Sequence, residues 1–121
     1  MNYMHLVFST KHREPVILPS IEDNLHRYLG SVCNELKCHN LIVGGYLDHV
    51  HVLCNLAKTM AICDLVKALK IQSSHWIKKQ GSDFEHFYWQ DGYGGFSVGR
   101  TELAQIRYYV GNQKAHHQSI G

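Results

Sequence analysis

Residues 48–53 read Asp-His-Val-His-Val-Leu, and this short alternation constrains the chain more than any other feature. Successive side chains of a β-strand project to opposite faces, so a strand through this segment sets His49 and His51 on one face and Val50 and Val52 on the other. The valines need an apolar layer to pack against. The two imidazoles, about 6–7 Å apart along the strand, can converge on one cation. The same pattern fits two half-exposed histidines on a sheet, so the alternation alone gives geometry and leaves metal binding open.

The rest of the chain supplies the elements around this strand. Met4–Thr10 is rich in β-formers and reads as a first strand, followed by a loop punctuated by Pro15 and Pro19. Ser20 is the expected N-cap of a helix reaching about Cys38, with Ile21, Leu25, Tyr28, Leu29, Val32 and Leu36 at helical spacing. Leu41–Tyr46 and His49–Leu56 form a strand pair around a turn near Leu47-Asp48. Thr59 is the expected cap of a second helix that buries Ile62, Leu65, Val66, Leu69, Trp76 and Ile77. Phe87–Trp89 and Phe96–Val98 flank the glycine-rich turn Asp91–Gly95 as two short strands or one interrupted strand. Thr101 then caps a last helix with Leu103, Ile106 and Val110 as its core stripe. The order β-α-β-β-α-β-(β)-α predicts an α+β, ferredoxin-like split βαβ fold: an antiparallel sheet with helices on one face and a C-terminal tyrosine-bearing helix.

A length of 121 residues suits one domain spanning residues 1–121. No apolar run approaches the roughly 20 residues of a membrane span, and the opening Met1-Asn2-Tyr3-Met4-His5 lacks the features of a signal peptide. A cytoplasmic location without membrane partners is the expectation. It agrees with Cys33, Cys38, Cys54 and Cys63 as free thiols; Cys33, Cys38 and His39 match no common zinc spacing. The formal charge of +2 permits nucleic-acid binding without requiring it. Ten histidines direct attention to metal and proton chemistry.

On the last helix Tyr109 and Gln113 are four residues apart and share a face. Both are expected beside the Leu103–Ile106–Val110 stripe rather than inside it. Gly111 weakens this helix by about 1 kcal/mol relative to alanine, so the helix is expected to end or loosen there. Two enzyme classes with similar patterns fit poorly. Histidine-triad nucleotide hydrolases need a third histidine where this chain has Leu53, and two-histidine phosphoesterases need two separate His-x-Ser/Thr motifs, a pair this chain does not supply.

Taken together, Asp48-His49-Val50-His51, the stretch Tyr88-Trp89-Gln90-Asp91-Gly92-Tyr93, Gly95-Phe96-Ser97-Val98 and Tyr109-x-x-x-Gln113-x-x-His116-His117 resemble the single-tyrosine HUH transposases. These are the small enzymes of the simplest bacterial insertion sequences, with relatives that process repeated extragenic palindromes. The resemblance runs along the whole chain in the family's order. It implies that His49 and His51 are a metal-binding pair, Gln113 the third metal ligand and Tyr109 the nucleophile. It further implies Mg²⁺ or Mn²⁺ as cofactor, single-stranded DNA with hairpin ends as partner, and a homodimer in which one subunit's tyrosine helix serves the other's histidines. The alternative is a domesticated or non-catalytic relative that binds DNA hairpins; a third class is a nucleotide-processing metallohydrolase. Lys67, Lys70, Lys78, Lys79, Arg100 and Arg107 are candidates to track phosphates, and Trp76 or Trp89 to stack on a base. His116 and His117 are left outside the metal shell. Relatives usually continue beyond them, whereas this sequence ends at Gly121, so a trimmed or a compact member is the expectation.

Overall fold

The computed structural model describes residues 1–113, so His116 and His117 lie outside the described residues. Four strands, β1 (Tyr3–Ser9), β2 (His39–Tyr46), β3 (His49–Asn55) and β4 (Gly94–Ser97), form one antiparallel sheet in the order β2-β3-β1-β4. β3 thus lies between β1 and β2, and β1 between β3 and β4. This is the interleaved arrangement of a split βαβ fold, as the element order predicts. Helices α1 (Pro19–Glu35) and α2 (Ile62–Lys78) make the two crossovers.

The alternation in β3 sorts the two faces as expected. Val50, Val52 and Cys54, with Leu6 and Phe8 of β1, join Leu25, Leu29 and Val32 of α1 and Leu65, Leu69 and Ile77 of α2 in one buried cluster. Burying one such side chain contributes about 1.5–3 kcal/mol, so this layer dominates the stability of the fold. Helix α3 (Leu103–Gly111) does not join it. It crosses the opposite face above β2 and β3, where Val110 is buried over Gly44. Only the two crossover helices share a face; the tyrosine helix takes the other.

Helix starts differ from the capping expectations. Leu18 occupies the N-cap of α1 without a side-chain bond, because Pro19, whose fixed φ suits the first turn, opens the helix ahead of Ser20. α2 starts after Ala61, beyond Thr59. Thr101 sits inside a 3₁₀ turn, Arg100–Glu102, whose Glu102 carboxylate accepts the Gly99 N–H at 3.2 Å. Phe87–Trp89 forms no strand: Phe87 and Trp89 pack into the core beside Phe8, and only a bridge between Thr10 and Trp89 ties the segment to the sheet.

Two of the proposed DNA contacts have structural duties instead. The Trp89 indole is buried and donates to Ser73 Oγ at 2.9 Å, so it offers no face to a base. Lys70 Nζ donates to the carbonyls of Gln90 and Gly92 at 2.7 Å each, which pins the glycine-rich turn to α2. Trp76 stacks on Tyr28, with ring centroids 5.6 Å apart. Cys33, Cys38 and Cys54 are buried and free, and Cys63 is exposed and free. A hydrogen bond with Cys54, together with burial, pushes the Cys33 thiol far up. Among the described residues no helix is long and apolar enough to cross a membrane.

Candidate active site

The sheet face under α3 carries the polar residues that the core face excludes. The Leu47-Asp48 turn returns the chain so that His49 pairs with Tyr46 and His51 with Gly44. On the other side of β3, Ser9 pairs with His49 and Val7 with His51. His49 and His51 are 5% and 6% exposed, and their rings lie 5.1 Å apart, nearly perpendicular. The two imidazoles share a face, as the alternation requires, and both are more buried than a surface pair would be.

A carboxylate orients the first imidazole. Asp48 Oδ1 accepts from His49 Nδ1 at 2.7 Å, and Asp48 Oδ2 accepts from Arg13 Nε at 3.1 Å. A carboxylate only accepts, so Nδ1 of His49 carries the proton and Nε2 turns toward α3. Burial pushes the Asp48 carboxyl up, but the hydrogen bonds from His49 and Arg13 outweigh it and hold the group below its ordinary value.

Helix α3 brings the other residues. Gly44 has no side chain where α3 crosses; a Cβ there would lie 1.9 Å from the Val110 carbonyl oxygen. Gly111 approaches the sheet similarly, with the position of its missing Cβ 3.0 Å from Ile42 Cδ1. The helical cost of Gly111 is thus offset by close packing on β2, and the helix ends there, as the sequence suggests. Just past that end, Gln113 is 1% exposed, so it extends the buried stripe instead of lying beside it. Val110 and Gln113 are three residues apart, and spacing alone favours Gln113 on that stripe as much as on the Tyr109 face.

The amide of Gln113 has a defined orientation. Its Nε2 donates to the Tyr109 carbonyl at 3.2 Å, which leaves Oε1 facing His49 Nε2, also at 3.2 Å. With His49 neutral, two acceptor lone pairs face each other, an arrangement that favours a proton or metal ion at that place. This donor set therefore fits a divalent cation. Among the described residues no group of three His, Cys, Asp or Glu side chains could hold a metal, so a three-ligand set at this place would have to draw on another kind of donor, such as the Gln113 amide.

Tyr109 stands beside this constellation at 42% exposure, its ring 5.7 Å from that of His51 and almost perpendicular to it. Tyr108, one residue away around the helix, is 72% exposed. The structure brings His49, His51, Tyr109 and Gln113 together within one chain. Lys67, Lys79, Arg100 and Arg107 remain at the exposed surface, and Lys78 lies 4.3 Å over the Tyr88 ring.

One residue of this cluster is absent from the sequence reading. His5 of β1 is buried, its Nε2 lies 2.7 Å from His51 Nδ1, and its ring stacks on that of His51 at 5.0 Å. Burial lowers its pKa below the ordinary histidine value. The signal was present: Leu6 and Phe8 mark the core face of β1, so His5 must share the other face with the histidine pair.

Comparison with known proteins places this chain among transposases. The family model described as IS200-like transposase matches residues 1–113. The ISDra2 transposase TnpA of Deinococcus radiodurans is 27% identical over 118 residues, covering 90% of this chain and 81% of the relative. A crystal structure of a D. radiodurans R1 protein described as a transposase superposes with a TM-score of 0.72 at 25% identity, over 93% of this chain and 92% of the other. The REP-associated tyrosine transposase bound to a REP hairpin shares the fold, with a TM-score of 0.72 at 12% identity over 96% of this chain and 68% of the other.

Proposed function

We propose that this chain, which belongs to the IS200-like transposase family, cuts and rejoins single-stranded DNA through a covalent tyrosine–DNA intermediate. The observation that carries this reading is the convergence of His49 Nε2 and Gln113 Oε1 on the sheet face where the Tyr109 ring borders His51. His49, His51 and Gln113 would hold a divalent cation, Mg²⁺ or Mn²⁺. All three are neutral donors and leave the ion its full charge. When bound, the ion supplies Lewis-acid stabilisation to a scissile phosphate, and Mn²⁺ accepts imidazole ligands more readily than Mg²⁺.

The protein side of the reaction follows from placement. Tyr109 is exposed enough to meet DNA from solvent and is held beside the histidine face by α3. Its Oη attacks the scissile phosphorus and loses its proton. The Oη–P bond forms and the P–O3′ bond breaks, leaving a 5′-phosphotyrosine and a 3′ oxygen that takes up a proton. The phosphodiester energy is retained, so a 3′-OH can reverse the step on a new end without ATP. Asp48 holds His49 in the tautomer that presents Nε2, an orienting role that a carboxylate hydrogen-bonded to the far nitrogen of a metal-binding histidine commonly plays.

The DNA partner is a single strand with hairpin ends, a reading supported by the hairpin bound to the REP-associated structural relative. The working unit is a homodimer. β2 and β4 are the edges of the sheet, and a second copy would cover an edge.

The test is a denaturing gel for a protein–DNA adduct on hairpin oligonucleotides with Mn²⁺. The wild-type chain and Tyr108→Phe should form the adduct; Tyr109→Phe, and wild type in EDTA, should not. A DNA-linked peptide carrying the nucleotide on Tyr108, or an adduct that survives Tyr109→Phe, would refute the assignment.

A further inference from the structure

We infer that His5 is a positioning residue for His51: its Nε2 accepts the Nδ1 proton of His51 and so holds His51 in the tautomer whose Nε2 can bind a divalent cation. This rests on the metal reading proposed above and extends it to a residue on a different strand.

The placement follows from the register. His5 pairs with Leu53 on β3 and with Phe96 on β4, which makes it the diagonal neighbour of His51 on the same sheet face. At 2.7 Å the two ring nitrogens share one proton, and both rings are buried. A neutral imidazole has one N–H and one lone pair. If the shared proton sits on His5, His51 must carry its own proton on Nε2 and cannot be a ligand through that atom. If it sits on His51 Nδ1, the Nε2 lone pair is available. The two proposed imidazole ligands would then be oriented by different means. His49 is fixed by the Asp48 carboxylate, which can only accept, whereas His51 is fixed by a second imidazole accepting through Nε2. Phe96, with its ring centroid 5.9 Å away, and the stacking on His51 hold the His5 ring in place.

The experiment uses the full chain without DNA. Mn²⁺ binding is followed by the loss of the free-ion EPR signal in wild type, His5→Phe, His5→Gln and His49→Ala, with thermal melts in EDTA to verify folding. Phenylalanine keeps the ring but removes the acceptor, and glutamine restores an acceptor close to the former Nε2. His5→Phe should weaken binding about 10–100-fold, and His5→Gln should recover to within about threefold of wild type. Histidine ¹⁵N NMR of the wild-type chain with Mg²⁺ should show the His51 proton on Nδ1, a readout that does not depend on the variants folding.

Each contrary result is specific. A His5→Phe chain that binds Mn²⁺ like wild type, while His49→Ala has lost binding, overturns the role of His5 and leaves the metal reading intact. Equal loss in His5→Phe and His5→Gln overturns it too, because the imidazole itself would then be required. A proton on Nε2 of His51 in the Mg²⁺-loaded protein overturns it directly. If wild type and His49→Ala bind Mn²⁺ equally, the metal reading fails and this inference fails with it.

Discussion

Replacing Gly44 with alanine tests whether the seat of α3 on the sheet assembles the site. Gly44 lies opposite His51 in the β2–β3 ladder, and a Cβ on it would stand 1.9 Å from the Val110 carbonyl oxygen and 2.8 Å from its carbon. That oxygen belongs to helix backbone and cannot rotate away, so α3 must lift by about 1 Å or more, a displacement that can cost about 100-fold in rate when it disturbs reacting groups. Val110 is next to Tyr109 and three residues before Gln113, so the lift acts on both. It stretches the 3.2 Å contact between Gln113 Oε1 and His49 Nε2 beyond bonding range. The cost in stability stays near the ~1–3 kcal/mol of local overpacking, because the main core lies on the other face. Single-turnover adduct formation with Mn²⁺ should fall about 100-fold while the circular dichroism spectrum is kept. Gly95→Ala is the control, since a Cβ there meets only ordinary contacts at 3.5 Å and beyond. If Gly44→Ala forms adduct at the wild-type rate, close docking of α3 on Gly44 does not position the nucleophile, and the reasoning fails.

Two other outcomes are expected. His49→Ala and Tyr109→Phe chains should each be inactive, and because His49, His51, Tyr109 and Gln113 meet within one chain, refolding the two together should restore no adduct; heterodimers that regain adduct formation would place the tyrosine helix in the partner subunit's site. His26 has its Nε2 buried with no hydrogen-bond partner among the described residues, and burial lowers its pKa below 6.5 against an opposing pull from Asp23. The unfolded chain therefore takes up this proton first, so stability is fully present above pH 6.5 and is lost as pH falls from there through the lower folded value. Urea midpoints in EDTA at pH 7 and pH 5 should differ less in His26→Leu than in wild type; equal slopes would show that His26 titrates normally.

The amino-acid sequence determined the parts of this protein that depend on local spacing. Alternation in residues 49–52 set the two histidines against the two valines, and helical periodicity chose the buried stripes of α1 and α2. The order of elements implied the split βαβ sheet, because few topologies accommodate it. Helix starts were less legible: a capping residue marks a possible beginning, but at Pro19 the fixed φ of proline decided it. Only the tertiary structure decided how the candidate site is assembled. A short helix with Leu103, Ile106 and Val110 shows which stripe it buries, not which sheet face receives it. That choice follows from the bare backbone at Gly44 beneath Val110. Gln113 is polar and yet buried: its Nε2 donates to the Tyr109 carbonyl, and its Oε1 faces His49, 64 residues earlier. His5 enters through register between strands, and Lys70 leaves the DNA-binding candidates because its ammonium is held by the turn that follows Trp89. Periodicity encodes the direction of a side chain relative to its own element; the identity of what it meets is fixed only when distant elements pack.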